Sequence, residues 1–291
     1  ELSARYPAEP PDTCRLMVVD VESKNIRQAK FRDLPEFLEP GDLLIVNNTV
    51  VEKRRVFLRR ESTGREPGAR IEAVFLERSP EKGGDRGLWS VLIKKRQRLK
   101  NGERLQCELD PGIFFIIHKD EHERVLLEES IPMTSAVFGR VGQMPIPPYL
   151  KREEEAVDIE AYQNPFRRDG SSVAAPTASL HFTPELVGKI KKKGIDIMSV
   201  TLEIGYGTFA PLKPENFESG KLHSESYCMP EETALALRGK KYRRVIAVGT
   251  TALRVVETVF LKTGGRYDSF LSGQTDLFLR PPHRTGSVDG L

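Results

Sequence analysis

Between Val56 and Glu129 the chain is cut into short runs rich in apolar and aromatic residues, each closed by glycine, proline, aspartate or asparagine. That texture restricts the stretch to a small antiparallel barrel or sandwich. The runs are Arg70 to Glu77, Leu88 to Ile93, Glu103 to Glu108, Ile113 to Lys119 and Arg124 to Glu128. On either side the pattern is different. A Gly41-Asp42 turn enters a buried-strand run that ends in Asn47-Asn48, expected as exposed amides at a strand end where α/β sheets hold ligand groups. A short helix is expected near Ser135, a proline-stiffened connector from Met144 to Tyr149, and helical composition from Glu153 to Gln163. Thr183 and Pro184 form a helix start that Gly194 stops. Ile195 to Ile204 and Arg244 to Val248 read as strands, Pro230 to Arg238 and Ala252 to Leu261 as helices. The expected class is α/β: a discontinuous α/β layered catalytic domain of residues 1–50 and 135–291, with an inserted small antiparallel β-barrel domain of residues 51–134.

With 291 residues and 38% hydrophobic side chains the chain can bury a real core. Its 45 basic and 42 acidic residues nearly cancel, so attraction to an anion has to come from clustering. Lys53-Arg54-Arg55, Arg59-Arg60 and the run Lys94, Lys95, Arg96, Arg98 and Lys100 supply it, as a nucleic-acid contact or as a solvated face. Cys14, Cys107 and Cys228 are far apart and form no C-x-x-C or Cys/His cluster, so neither a zinc site nor a disulfide framework is expected. His118, His122 and His283 add no ligand set, and no metal is expected. No apolar stretch approaches the roughly 20 residues of a membrane span, which predicts a cytoplasmic protein without a membrane partner. A chain that opens at Glu1 and stops at Leu291 reads as a section of a longer polypeptide.

Four segments carry possible chemistry. Ser172-Val-Ala-Ala-Pro-Thr-Ala-Ser-Leu-His181-Phe182 fits neither helical nor strand periodicity, and Pro176 forbids a helix interior. Its small residues allow close backbone approach to a ligand. Thr177 can hydrogen-bond one, and His181 changes charge near neutral pH; a tight buried connection is the alternative. In Thr201-Leu-Glu-Ile-Gly205-Tyr-Gly207-Thr208-Phe209 the strand, acid and G-x-G superficially match the glycine loop of Rossmann methyltransferases. Pro211 and Pro214 oppose the immediate helix that such a loop needs. Arg243 to Arg254 reads as strand, small-residue turn at Gly249, Thr250 and Thr251, then helix, a place suited to a carboxylate or phosphate. There Thr250 or Thr251 can cap the helix, and Arg254 can reach the anion or pair with Glu257. His223 and Glu225, two apart, face one side of an extended segment as a base and its orienter, or as a plain surface hydrogen bond.

Together these stretches resemble the S-adenosylmethionine:tRNA ribosyltransferase-isomerase family of queuosine biosynthesis. The resemblance is collinear through Ala4-Arg-Tyr-Pro7, Pro40 to Leu44 with Asn47-Asn48-Thr49, Met144-Pro-x-Pro-Pro148-Tyr149, Tyr162-Gln163, Val173 to Ala178 with Leu180-His181-Phe182, Gly205-x-Gly207-Thr208-Phe209, His223-Ser-Glu225 and Val248 to Thr251 with Arg254. It implies transfer and isomerisation of the ribosyl group of S-adenosylmethionine, a cosubstrate, onto 7-aminomethyl-7-deazaguanine in a queuosine-type tRNA anticodon, with loss of adenine and methionine. On this resemblance His181 is the first acid/base candidate, with His223 and Glu225 a second proton-handling pair. Ala175, Pro176, Thr177, Phe182, Gly205, Gly207, Thr208, Phe209, Tyr149 and Gln163 would line the substrate pocket, Phe209 stacking on a base. Gly249, Thr250, Thr251 and Arg254 would hold a carboxylate or phosphate, and the basic runs of the inserted domain would meet tRNA phosphates. A monomer is expected.

The chain departs from the family pattern at Val50, where arginine is usual, and at Ser179, where glycine is usual. The pattern also begins before Glu1 and continues past Leu291 into an Asn-Phe-His-Leu-Pro segment. A conventional S-adenosylmethionine-dependent methyltransferase and a non-catalytic RNA-binding relative are the alternative readings.

Overall fold

The structure, a computed structural model, describes residues 4–61, 68–80, 87–93, 96–121, 123–147, 150, 152–205, 207, 212–239 and 241–291. The chain divides into two compact units, one of residues 1–50, 148–151 and 159–291 and the other of residues 51–147 and 152–158.

The first unit opens with an antiparallel hairpin of β1 (Arg15–Asp20) and β2 (Asn25–Lys30). Next comes β3 (Leu43–Asn47), every residue of which is buried, followed by β4 (Thr49–Val51). A strand buried on both faces sends alternate side chains into two cores. Leu43 and Ile45 enter one with Val200, Leu202, Ala252, Val255 and Val256, whereas Leu44 enters the other with Leu38, Phe182, Leu186 and Ile190.

The second unit is the barrel. Strands β5 (Arg55–Arg60), β6 (Arg70–Pro80), β7 (Gly87–Ile93), β8 (Arg104–Cys107), β9 (Phe114–Lys119) and β10 (Val125–Glu129) pair in the order β5-β6-β7-β10-β9-β8, and β8 returns to β5 through Leu58 and Cys107. Closure leaves no free edge among these six. Period-two alternation fills the inside with Val56, Leu58, Phe75, Trp89, Leu105, Phe115, Ile117 and Leu127. Helix α1 (Ser135–Val141), capped by Thr134, lends Phe138 to an aromatic cluster with Phe75 and Trp89, and β11 (Gly142–Gln143) adds to β5.

The expected strand runs of the barrel match β6 to β10 within a few residues. One strand, β5, lay hidden in a basic cluster. The helix expected from Glu153 to Gln163 shrinks to α2 (Asp158–Ala161). The Asp158 carboxylate explains the shortening: it holds Arg152 at 2.5 and 2.6 Å and accepts from the Glu155 amide at 2.8 Å, turning the preceding backbone out of a helical path.

Back in the first unit come β12 (Asp169–Ser172), α3 (Pro184–Lys192), β13 (Asp196–Leu202), α4 (Pro214–Ser219), β14 (Lys221–Met229), α5 (Glu231–Arg238), β15 (Val245–Ala247), α6 (Gly249–Thr263) and β16 (Leu271–Leu277). The five-stranded sheet has the order β15-β3-β13-β14-β16. Its first three strands are parallel and the last two antiparallel. Thr183 caps α3 by accepting from the Leu186 amide at 3.1 Å, and Gly194 follows with φ of 79°. The mixed α/β architecture with a closed antiparallel barrel agrees with the expected class.

Asn47 and Asn48 are not exposed amides. Both are buried, Asn47 bonding the Leu202 carbonyl and amide and Asn48 bonding Ser199 and Thr201. Their polar groups satisfy β13 and its neighbours. Among the described residues no helix is long and apolar enough to cross a membrane.

Candidate active site

On β14, residues 223, 225 and 227 share a face because side chains alternate. Glu225 turns inward with its side chain 3% exposed and becomes the centre of a polar cluster. Its Oε1 accepts from the Gly205 amide at 2.8 Å and meets His223 Nε2 at 2.9 Å. Its Oε2 accepts from the Arg254 guanidinium on α6. Arg254 also donates to the carbonyls of His223 at 2.8 Å and Thr275 at 3.0 Å, while its buried Nε has no partner among the described residues. Thr258, one turn along α6, shares a 2.6 Å hydroxyl contact with Thr275. Burial pulls the Arg254 pKa down from its ordinary value, and the adjacent Glu225 charge opposes that shift.

His223 is anchored by its contact with Glu225. With Nε2 donating to Glu225, Nδ1 is left as the acceptor. That nitrogen faces the glycine segment: a Cβ on Gly207 would lie 2.2 Å from it. Only glycine lets the backbone come so near the ring. The imidazole is one-third exposed, open to a reactant.

The small-residue run joins the same neighbourhood. The Val173 amide donates to the Ile204 carbonyl at 2.9 Å, and Ser172 Oγ accepts from the Ile204 amide at 2.8 Å while contacting Thr49 Oγ1 at 2.6 Å. Further on, Thr177–His181 form a short 3-10 turn against the start of α6, where a Cβ on Gly249 would lie 2.7 Å from that of Ala178. Gly249 has φ of 83°. Neither Thr250 nor Thr251 caps the helix; the cap position is Val248, which makes no side-chain bond. Among the described residues no side chain caps the first turn of α6, and Thr177 and Thr250 beside it are exposed. Ala175 is half-buried and Pro176 buried within the run.

Other expected site residues sit elsewhere. His181 meets the amino-terminal segment, with Cys14 Sγ 3.3 Å from Nδ1 and the Phe31 ring at 5.2 Å. Burial pushes its pKa below the ordinary 6.5, and a hydrogen bond with the Pro11 backbone partly offsets this. Phe182 turns into the apolar cluster between Phe31 and Phe166. Gln163 is half-buried and accepts from the Asn164 amide. Arg254 does not pair with Glu257, whose carboxylate takes His283 at 2.9 Å, the Gly286 and Ser287 amides and the Ser287 hydroxyl. Its commitment to Glu225 also removes it as a free anion ligand. Thr208, Phe209 and Tyr149 lie outside the described residues. Sequence reasoning missed Thr275, whose strand β16 is too polar to announce itself, and with it the contact that Thr258 of α6 makes there. Among the described residues no group of three or more His, Cys, Asp or Glu side chains is placed to hold a metal ion.

Residues 1–291 match, end to end, the family model described as queuosine biosynthesis protein. The chain belongs to that family. An S-adenosylmethionine:tRNA ribosyltransferase-isomerase of Thermotoga maritima is 39% identical over 294 residues, covering 100% of this chain and 82% of the relative. The enzyme of that name from Sulfurihydrogenibium sp. is also 39% identical, with the same coverage. A crystal structure of an S-adenosylmethionine tRNA ribosyltransferase from Thermotoga maritima aligns with a TM-score of 0.45 and 28% identity over 99% of this chain and 79% of the other.

In this queuosine-family chain the basic residues expected to meet RNA belong to the barrel unit. Arg98 and Lys100 are exposed; Lys94, Lys95 and the Arg96 side chain lie outside the described residues. Arg54 and the basic cluster of β5 are largely neutralised, Arg54 by Glu52, Arg55 by Glu72, Arg59 by Glu108 and Arg60 by Glu103.

Proposed function

We propose that this chain moves the ribosyl group of S-adenosylmethionine onto 7-aminomethyl-7-deazaguanine in the anticodon of a queuosine-type tRNA, isomerising it and releasing adenine and methionine. The observation that carries the reading is the His223–Glu225 pair set against Gly207 in a chain 39% identical, over its whole length, to proteins named for this reaction.

The sulfonium of the cosubstrate acidifies the protons on its neighbouring carbon, so the first need is a base. His223 Nδ1 is that base, and Glu225 holds the ring and stabilises the imidazolium formed. Arg254 fixes Glu225 from behind. The Gly205 and Gly207 backbone forms the wall of the cosubstrate site with Ala175, Pro176 and Thr177, and the amides at Gly249, Thr250 and Thr251 receive a carboxylate or phosphate. His181 takes a secondary part, because its ring is already engaged by Cys14, Phe31 and Pro11 and enters as neutral imidazole. The nucleophile is the substrate's own amine, and no covalent enzyme intermediate is needed. The barrel's Arg98 and Lys100 supply phosphate contacts. The protein works as a cytoplasmic monomer without a metal.

Incubation with labelled S-adenosylmethionine and tRNA bearing the precursor base tests this. Free adenine and methionine with modified tRNA are expected, and His223→Asn should lower the rate about 10²- to 10⁴-fold. Release of S-adenosylhomocysteine would instead mark a conventional methyltransferase.

A further inference from the structure

The barrel carries a cavity of about 430 Å³ that takes no part in the proton transfer assigned to His223. Leu99, in the barrel core, and Ile71, packed against that core, form part of its lining. Phe57 forms a wall, and the Arg70 guanidinium lies 3.6 Å from the Phe57 ring centroid. A flat cation layered on an aromatic ring is a stacking platform, and the Arg70 side chain remains 46% exposed, so its guanidinium is open to a further planar group. Arg60 and Arg98 complete the lining, linked by a hydrogen bond from the Arg60 guanidinium to the Arg98 carbonyl.

Among the described residues that line the cavity, the three guanidinium groups of Arg60, Arg70 and Arg98 outnumber the single carboxylate of Glu72. Arg59 and Arg70 share Glu108, and Arg98 has no ion-pair partner among the described residues. A planar stack, an apolar lining and an uncompensated cation are together what an unpaired nucleotide requires: a face for the base and a charge for the phosphate.

We propose that this cavity binds an unpaired nucleotide of the RNA substrate, the base stacking on Arg70 over Phe57 and a neighbouring phosphate pairing with Arg98. The inference rests on the reading of the chain as an RNA-modifying enzyme, and it adds a site in the barrel, apart from His223 and Glu225, that holds RNA through a splayed base.

The test measures binding of a fluorescent single-stranded oligoribonucleotide, without S-adenosylmethionine, over a range of salt concentrations. Arg70→Lys keeps the charge but removes the plane, and should weaken binding about 5- to 100-fold with an unchanged salt slope. Arg98→Ala, on an exposed side chain, should reduce the slope of log K against log salt by about 0.7. Wild-type affinity in Arg70→Lys, a wild-type slope in Arg98→Ala, or an equal loss for a duplex with no unpaired base would each overturn the proposal. A chain that binds through this cavity yet releases no adenine would defeat the proposed reaction while leaving the cavity assignment intact.

Discussion

Glu225 and Arg254 form a buried ion pair, their side chains 3% and 9% exposed, and the same arginine clasps the His223 and Thr275 carbonyls. Four separate stretches of the first unit thus meet on one guanidinium–carboxylate contact, since Glu225 also receives the Gly205 amide. Removing one partner leaves the other charge buried and alone, at a cost of about 3–5 kcal/mol. Arg254→Met should therefore lower the melting temperature by roughly 6–20 °C at about 2–4 °C per kcal/mol. Turnover should fall with it as His223 loses its support. Differential scanning calorimetry checks the first effect, and a melting temperature within 2 °C of wild type, roughly the effect of a change under 1 kcal/mol, would show that the pair is not needed.

Gly207→Ala tests the positioning of His223. The new methyl would overlap the His223 ring, so either the glycine segment or the imidazole must move. Misplacement near 1 Å costs about 10²-fold in rate, and relieving the overlap typically costs about 1–3 kcal/mol of stability. Assayed well below the variant's melting temperature, where the chain stays folded, kcat should still drop. Unaltered kcat would mean that His223 is not the base.

His181 should leave a signature in the pH dependence of stability. Burial lowers its proton affinity in the folded chain, so the unfolded chain binds the proton more readily. Its contribution is complete above the ordinary 6.5 and is lost as the pH falls from there through the lowered folded value. The buried carboxylates Glu129 and Glu257 lose theirs in a lower range, beneath the ordinary 4.5. Urea melts of wild type and His181→Asn at neutral pH and at about pH 5.5 isolate the histidine. The wild type should lose more stability between the two than the variant; equal losses would place His181 in a solvated setting.

Much of this architecture was legible because the barrel's inward residues alternate and turn formers mark each strand end. Strand β5 was not, since Arg55, Arg59 and Arg60 make up half of it and read as a charge cluster until their carboxylate partners on other strands are known. Asn47 and Asn48 misled for the opposite reason. Polar side chains at a strand end look solvent-facing in sequence, yet here they satisfy the backbone and hydroxyl groups of β13. The His223–Glu225 contact follows from two-residue spacing. By contrast, the Arg254 partner 29 residues away and the Cys14–His181 contact across 167 residues depend on tertiary folding that local pattern does not encode.

Within the barrel unit, Glu129 is the counterpart of Glu225. Its carboxylate is fully buried and accepts from the amides of Gly87 and Met133, from Trp89 Nε1 at 2.7 Å and from Arg78. Although burial raises its pKa, these donors outweigh that effect and hold it below the usual carboxylate range. Glu129→Ala strands four donors at once around the aromatic cluster, a loss of about 3–5 kcal/mol. Trp89 is the chain's single tryptophan and lies inside the barrel, so its emission reports that unit, whereas the helical signal at 222 nm comes mainly from α3, α5 and α6 of the other. The tryptophan-detected transition of Glu129→Ala should therefore move to lower denaturant by more than the helical transition does. Coincident shifts of both would mean that the two units unfold as one, with Glu129 anchoring the whole chain rather than its barrel.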